Sequence, residues 1–246
     1  MTRDVKRWLL ATGVAMSLGL LVPLASGQQA AAPAAKNEPV ESWYAATVAE
    51  DEKGQFLMIH FWSKGPRLRS EAVLAGRKIV TIVDPTTYYI IDDVAGGGIS
   101  IERSEAAIAL DGKRRRPFGN ELDDMLLEGG ELIGSEKASG QVVDVYRLTN
   151  DKGRRTIWMS TTKPPVPLRI ETYDRATATT GKIDYTNWLY NPPIPDSFFE
   201  PDQRIELQRF TYAKYRNLSL VAPVGPAPVL YRHLLHGEGQ PKSGSE

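Results

Sequence analysis

The stretch Lys163–Pro201, KPPVPLRIETYDRATATTGKIDYTNWLYNPPIPDSFFEP, reads as two strands joined by a Gly-containing turn and closed by a proline-rich exit. Side chains alternate across a pleated strand, so Leu168 and Ile170 point one way while Arg169, Glu171 and Tyr173 point the other. After a turn expected around Thr180 and Gly181, Ile183, Tyr185 and Leu189 share a face, opposed by Asp184, Thr186 and Trp188. The pattern is that of a hairpin with one buried face. The run Asn191–Pro195 then excludes both helix and central ladder, because proline lacks an N–H and restricts the residue before it. Phe198 and Phe199, held just after this exit, are expected to pin the closing edge.

The strands on either side extend that pattern. Upstream, Trp43–Val48 and Gln55–Trp62 read as a hairpin across the turn-rich Asp51–Gly54. In the second strand Phe56, Met58 and Trp62 share a face with His60, while Leu57, Ile59 and Phe61 form the other, so both faces are apolar. Such a strand is covered on both sides, or is covered on one and lines an apolar hollow on the other. Arg67–Leu74, Lys78–Val83 and Thr87–Ile91 follow, separated by Ala75-Gly76 and Asp84-Pro85, and imply an antiparallel meander. Gly96–Gly98 reads as a flexible linker. Ser104 is placed to cap a helix through Leu110, and Asn120 to cap one over Glu121–Glu128 ended by Gly129 and Gly130, with Leu122, Met125 and Leu126 on one stripe. Val142–Leu148, Arg154–Ser160 and Arg204–Phe210 bring the total to about ten strands around one helical block.

The 246-residue chain has no cysteine and a formal net charge of zero. It begins with Arg3, Lys6 and Arg7, an uncharged apolar run from Trp8 to Leu24, and small residues to Gly27, the order found in a cleaved secretory signal peptide. Loss of residues 1–27 leaves a net charge of about −2, which implies no nucleic-acid partner. The lack of cysteine excludes disulfides, thiolate metal sites and a lipid-modified cysteine at the junction. The expected organisation is a signal peptide over 1–27, a low-complexity leader over 28–41, a folded domain over 42–212 and a C-terminal arm with a disordered tail over 213–246.

Reactive signatures are missing: there is no GxSxG elbow, no phosphate-binding loop and no HExxH. His60, alternating with Phe56 and Met58, reads as a hydrogen-bonded packing residue. His233 and His236 stand three apart in an arm expected to be exposed, and two histidines without a third ligand do not define a metal site. Asp92 and Asp93 face opposite ways if they lie on a strand, so they do not form an acid–base pair. The basic run Lys113–Arg116 reads as a solvated loop. No catalytic residue, metal or cofactor is expected.

The hairpin and its exit resemble those of outer-membrane lipoprotein carriers of the LolA/LolB type. Pro167, Leu168, Arg169 and Ile170 match a Pro-Leu-Arg-Ile-like strand, and Asn191, Pro192, Ile194, Pro195, Phe199 and Pro201 match the proline exit. Pro66–Arg69 and the Val83-Asp84 to Tyr88-Tyr89 segment are similar too, so the resemblance spans about residues 43–210. It departs from the family at Pro85, where glycine is common, and in the leader, which lacks an amphipathic helix. The resemblance implies a mainly β (α+β) fold: an incomplete antiparallel barrel, or strongly curved sheet, with short helices lidding the concave side over an apolar cavity that accepts acyl chains. Phe56, Met58, Trp62, Tyr88, Ile90, Met125, Leu126 and Trp158 are the expected lining. The function this implies is that of a soluble periplasmic carrier, not an enzyme, holding the acyl chains of a lipoprotein or lipid with peripheral membrane contact. The alternative is an envelope module of the same fold that binds a protein partner or senses stress.

Overall fold

The computed structural model describes residues 41–50, 56–111, 119–138, 140–228 and 233–237. Six strands open the domain: β1 (Ser42–Glu50), β2 (Phe56–Lys64), β3 (Arg67–Leu74), β4 (Arg77–Val83), β5 (Thr87–Asp92) and β6 (Gly97–Glu102). Two short helices follow, α1 (Glu105–Asp111) and α2 (Glu121–Leu127). Then come β7 (Glu131–Ala138), β8 (Gln141–Asn150), β9 (Gly153–Ser160), β10 (Pro167–Asp174) and β11 (Thr179–Tyr190). A 3-10 turn at Asp196–Phe199, β12 (Glu206–Phe210), α3 (Tyr212–Ser219) and α4 (His233–His236) complete the described elements. The expected signal peptide, most of the leader, the Asp51–Gly54 turn, the Lys113–Arg116 run and the polar tail lie outside the described residues.

The twelve strands form one curved, unclosed sheet in the order β12-β6-β5-β4-β3-β2-β1-β11-β10-β9-β8-β7. With short helices over one face, this is the strongly curved, helix-lidded sheet expected from the sequence. Every pairing is antiparallel except β12 with β6, which is parallel. The expected all-antiparallel sheet is corrected at that edge.

Two strands lie beyond the ten expected. β6 was hidden by its glycines, which are needed for close packing rather than freedom: a Cβ on Gly98 would stand 2.5 Å from the Ile90 carbonyl oxygen on β5. β7 was hidden because it is an exposed edge carrying Glu131, Glu136 and Lys137, with an irregularity between Leu132 and Gly134, features that discourage further pairing.

Register defines the two faces. One row runs across eight strands through Phe210, Ile101, Tyr88, Val83, Leu68, Ser63, Trp43 and Tyr190. All of it but Ser63 and Tyr190 belongs to the main core with Ile90, Ile99, Ile157, Ile170 and Tyr185, and this face receives Met125 of α2, Tyr215 of α3 and Leu234 and Leu235 of α4. On the opposite face Val80, Ile82, Ile91 and Phe199 form a second, smaller core.

Two expectations for β10 and β11 change. The turn is Arg175–Ala178, not Thr180-Gly181, because the Asp174 carboxylate accepts from the backbone N–H groups of Ala176 (2.9 Å) and Thr177 (3.1 Å) and fixes it there. Asn187 adopts φ 54° where β11 carries one extra residue against β1. This bulge reverses the alternation, so Trp188 joins Tyr185, stacked at 5.6 Å, and Trp43 at 5.4 Å, while Leu189 turns outward.

The proline exit acts as a strap. Asn191 (φ 48°) ends β11 and its side chain accepts from Glu41 N at 2.9 Å, while Ser42 Oγ donates to the Pro192 carbonyl at 2.9 Å. The chain then crosses the second face, and Phe199 is buried over β4 and β5 instead of pinning an edge. This crossing carries the chain to the far edge, where β12 joins β6 in parallel. The connection from β6 to β7 carries α1 and α2 onto the first face.

Candidate functional site: the helix-covered face

The face lined by the Phe210–Tyr190 row is apolar over most of its width, and its cover is made of short helices. Ser104 Oγ caps α1 by accepting from Ala107 N at 3.0 Å. Asn120 occupies the capping position of α2, though its side chain makes no capping hydrogen bond. α2 inserts Met125, fully buried, with Leu122 packed beside it. At its rim Tyr185 Oη donates to Glu121 Oε1 at 3.2 Å, and Arg155 pairs with Glu128 at 3.1 Å. Gly129 (φ 92°) leads out of the helix, and Gly130 lies so close that a Cβ there would stand 2.4 Å from Met125 Cγ.

The other half of the face lies under α3 and α4. Phe210 meets the Tyr215 ring edge-on at 6.5 Å. Leu234 and Leu235 are buried in the same core. Arg103, which follows Ile99 and Ile101 on the same face, has a side chain with no exposed surface. Its guanidinium donates to the carbonyl oxygens of Leu234 (2.7 Å) and Pro85 (3.1 Å) and to Asp111 Oδ2 (2.7 Å). It therefore ties β6, α1, α4 and the Asp84-Pro85 turn together. Tyr88 is buried, and its hydroxyl has no hydrogen-bond partner among the described residues. Burial pushes its ionisation well above the usual phenol range, reinforced by Tyr215 and opposed by Arg103, so it remains a donor.

The eight residues expected to line one cavity do not share a face. Tyr88, Ile90 and Met125 are brought together under the helices. Phe56, Met58, Trp62 and Trp158 lie on the opposite face: Trp158, Arg169, Asp184, Val48 and Met58 form a single cross-strand row there. Leu126 is exposed at the surface of α2. The apolar pattern of β2 is two-sided because Leu57, Ile59 and Phe61 face the helices while Phe56 and Met58 are exposed. His60 is the packing residue expected, its Nδ1 2.8 Å from Tyr44 Oη.

Sequence reasoning missed Arg103, Tyr215, Leu234 and Leu235. Arg103 could have been found, since it continues the period-two alternation of Ile99 and Ile101. His233 and His236, expected to be exposed, are both half-buried, and His236 Nδ1 lies 3.1 Å from Tyr212 Oη because the leucines between them dock in the core.

Three grooves stand out among the described residues, and none of these three opens beneath the helices. One of about 810 Å³ runs along the strap from Glu41 and Lys64 to Asn191–Pro195. A second, about 750 Å³, lies between Tyr89, Ser100, Arg209 and the Pro201–Ile205 segment. The third, about 380 Å³, is at the β10–β11 hairpin. Among the described residues no cluster of three His, Asp or Glu side chains is placed to hold a metal ion. No described helix is long and apolar enough to cross a membrane.

The class defined by this geometry is an open, curved twelve-stranded sheet with helices on one face and a strap on the other. Within the chain, residues 117–203 match the family described as "Predicted periplasmic protein (DUF2092)", a span running from the approach to α2 through the strap. No curated protein matches the sequence. An uncharacterized conserved protein from Thermus thermophilus is similar in structure, with a TM-score of 0.50 at 9% identity over 71% of this chain and 93% of that one. A LolA superfamily protein from Nitrosomonas europaea aligns at a TM-score of 0.33 and 13% identity, over 67% and 92% of the two chains. A chain of the MucA/MucB complex of Pseudomonas aeruginosa aligns at 0.40 and 16% identity, over 68% and 58%. At 9% identity the likeness to the Thermus protein is one of fold alone.

Proposed function

We propose that this is an exported, non-catalytic binding protein that holds the acyl chain of a lipid or lipoprotein on the helix-covered face of its sheet. The observation that carries the reading is the cover itself: an apolar face running from β12 to β8 is closed by helices of four to eight residues, not by a second sheet. Each methylene buried there contributes roughly 0.8 kcal/mol, so such a face can take a chain from water without a polar motif. The rim contacts of α2 are partly exposed, and pairs of that kind contribute about 0–1 kcal/mol, so α2 is held chiefly by Met125 and Leu122. The face is filled in the described state, and the ligand enters by displacing helix side chains. The description of the matching family as periplasmic and the signal-like N-terminus support export.

Mass spectrometry of an organic extract of the full chain, purified without detergent from its native envelope, is expected to release an acyl lipid. Met125→Ala, which removes the plug of α2, is expected to tighten binding of a fluorescent fatty acid. An empty extract, together with no probe binding by either folded protein, overturns the reading.

A second reading, a protein-binding envelope module, is favoured by the exposed apolar strip on the opposite face, where Leu189, Val48, Met58 and Phe56 lie beside Tyr44 and Trp62.

A further inference from the structure

The contacts that hold α4 share a chemical character. Arg103 Nε donates to the Leu234 carbonyl at 2.7 Å, and the Ser104 N–H donates to the Leu235 carbonyl at 3.1 Å. The two leucine side chains are buried in the cluster that holds Tyr88, Ile101, Phe210 and Tyr215. To this part of the domain α4 therefore presents carbonyl oxygens backed by aliphatic carbon. An acyl chain with its carboxyl, ester or amide head presents the same chemistry.

A second observation points to a ligand. Arg103 stands one same-face position beyond Ile101, which pairs directly with Tyr88. The Tyr88 hydroxyl is buried in this cluster with no hydrogen-bond partner among the described residues, so α4 leaves one donor of the site unanswered. A buried donor without an acceptor is unfavourable, and an arriving carbonyl or carboxylate oxygen relieves it. When the Leu234 carbonyl leaves, Arg103 keeps Asp111 and the Pro85 carbonyl, but its Nε–H loses its acceptor, and an acyl head supplies one.

We propose that the seat of Leu234 and Leu235 is the head-group end of the acyl site, occupied in cis by α4, and that Arg103 and Tyr88 bind the carbonyl head of the ligand once α4 is displaced. This rests on the acyl-binding reading above and adds both its regulation and its polar anchor. Ligand and α4 compete, so the apparent dissociation constant of the wild type exceeds the intrinsic one by the reciprocal of the fraction with α4 undocked.

The test uses the full chain with Leu234→Ser and Leu235→Ser together, titrated with a fluorescent fatty acid and with its methyl ester. The double variant is expected to bind the fatty acid at least about tenfold more tightly than the wild type, corresponding to a wild-type undocked fraction near one in ten or lower. Adding Arg103→Gln to it is expected to return most of that gain for the free acid, and Tyr88→Phe a smaller part for both probes. Near-UV circular dichroism reports whether each variant keeps its packed core. Should the double variant fail to fold, hydrogen exchange on the wild type replaces it: saturating fatty acid is expected to raise exchange of the amides in 233–237. A folded double variant that binds no tighter than a wild type that does bind, or 233–237 amides unmoved at saturation, overturns this proposal and leaves the acyl-binding reading standing. No binding by any folded form overturns both.

Discussion

Asn187 and Asp92 show how single residues decide what a periodic pattern can only suggest. Alternation alone puts Trp188 opposite Tyr185; one asparagine in a left-handed conformation inserts a residue and puts them together. Nothing in a period-two pattern reports such a bulge. Asp92 is the reverse case, since a carboxylate ending an apolar strand is visible in the sequence, while its burial is not. It is 2% exposed, accepts from Val94 N (3.1 Å) and Ala95 N (3.0 Å), and pairs with Arg77. The bond from Ala95, helped by Arg77, holds its ionisation below the ordinary value of 3.8 against the effect of burial. A lowered folded-state pKa contributes stability that is present above the unfolded value and is lost as pH falls through the folded one. The melting temperature is therefore expected to hold from pH 7 to pH 5 and to fall below about pH 4. Asp92→Asn should melt lower at pH 7 and lose less over the acid range. Parallel melting curves for the two proteins at every pH would remove Asp92 from this account.

Among the elements, β3, β4 and β5 were legible because each alternates cleanly between turn residues, and their observed bounds differ from the expected ones by a residue at most. α3 was not, because only Tyr215 on it is buried and its remaining apolar residues, such as Leu218, form no buried stripe. The strap was legible as a stop signal but not in its destination, which depends on a fit between Phe199 and a surface made by strands more than a hundred residues earlier. Its two phenylalanines have separate jobs. Phe199 is buried with Val80, Ile82 and Ile91, and Phe199→Ala is expected to destabilise the domain by about 3–5 kcal/mol. Phe198 is half-buried, edge-on to Trp62 at 5.2 Å and under the Arg69 guanidinium at 4.5 Å, so Phe198→Ala is expected to cost about 1–2 kcal/mol. Urea denaturation separates the two; equal losses would mean that the strap is held by its prolines and backbone instead.

For the domain as a sheet, the decisive fact is which face the helices cover, and half of the expected lining turned out to lie on the other. A two-sided apolar strand such as β2 identifies no face by itself; the assignment needs the connection from β6 to β7, which carries α1 and α2, and the docking of α4. The faces can be told apart by one pair of substitutions. Met58 is 54% exposed in the row with Val48 and Asp184, so Met58→Glu is expected to change stability by no more than about 0.5 kcal/mol and to leave fatty-acid binding as it is. Met125 is fully buried on the helix-covered face, so Met125→Glu places a carboxylate where it has no room to be hydrated. That variant is expected to expel α2 and raise hydrogen exchange across Glu121–Leu127, with the strand signature in far-UV circular dichroism retained. A protein partner docked on the exposed strip, by contrast, is lost with Met58→Glu and kept with Met125→Glu. If Met58→Glu abolishes acyl binding while the domain stays as stable as the wild type, the ligand sits on the strap face and the helices cover only a structural core.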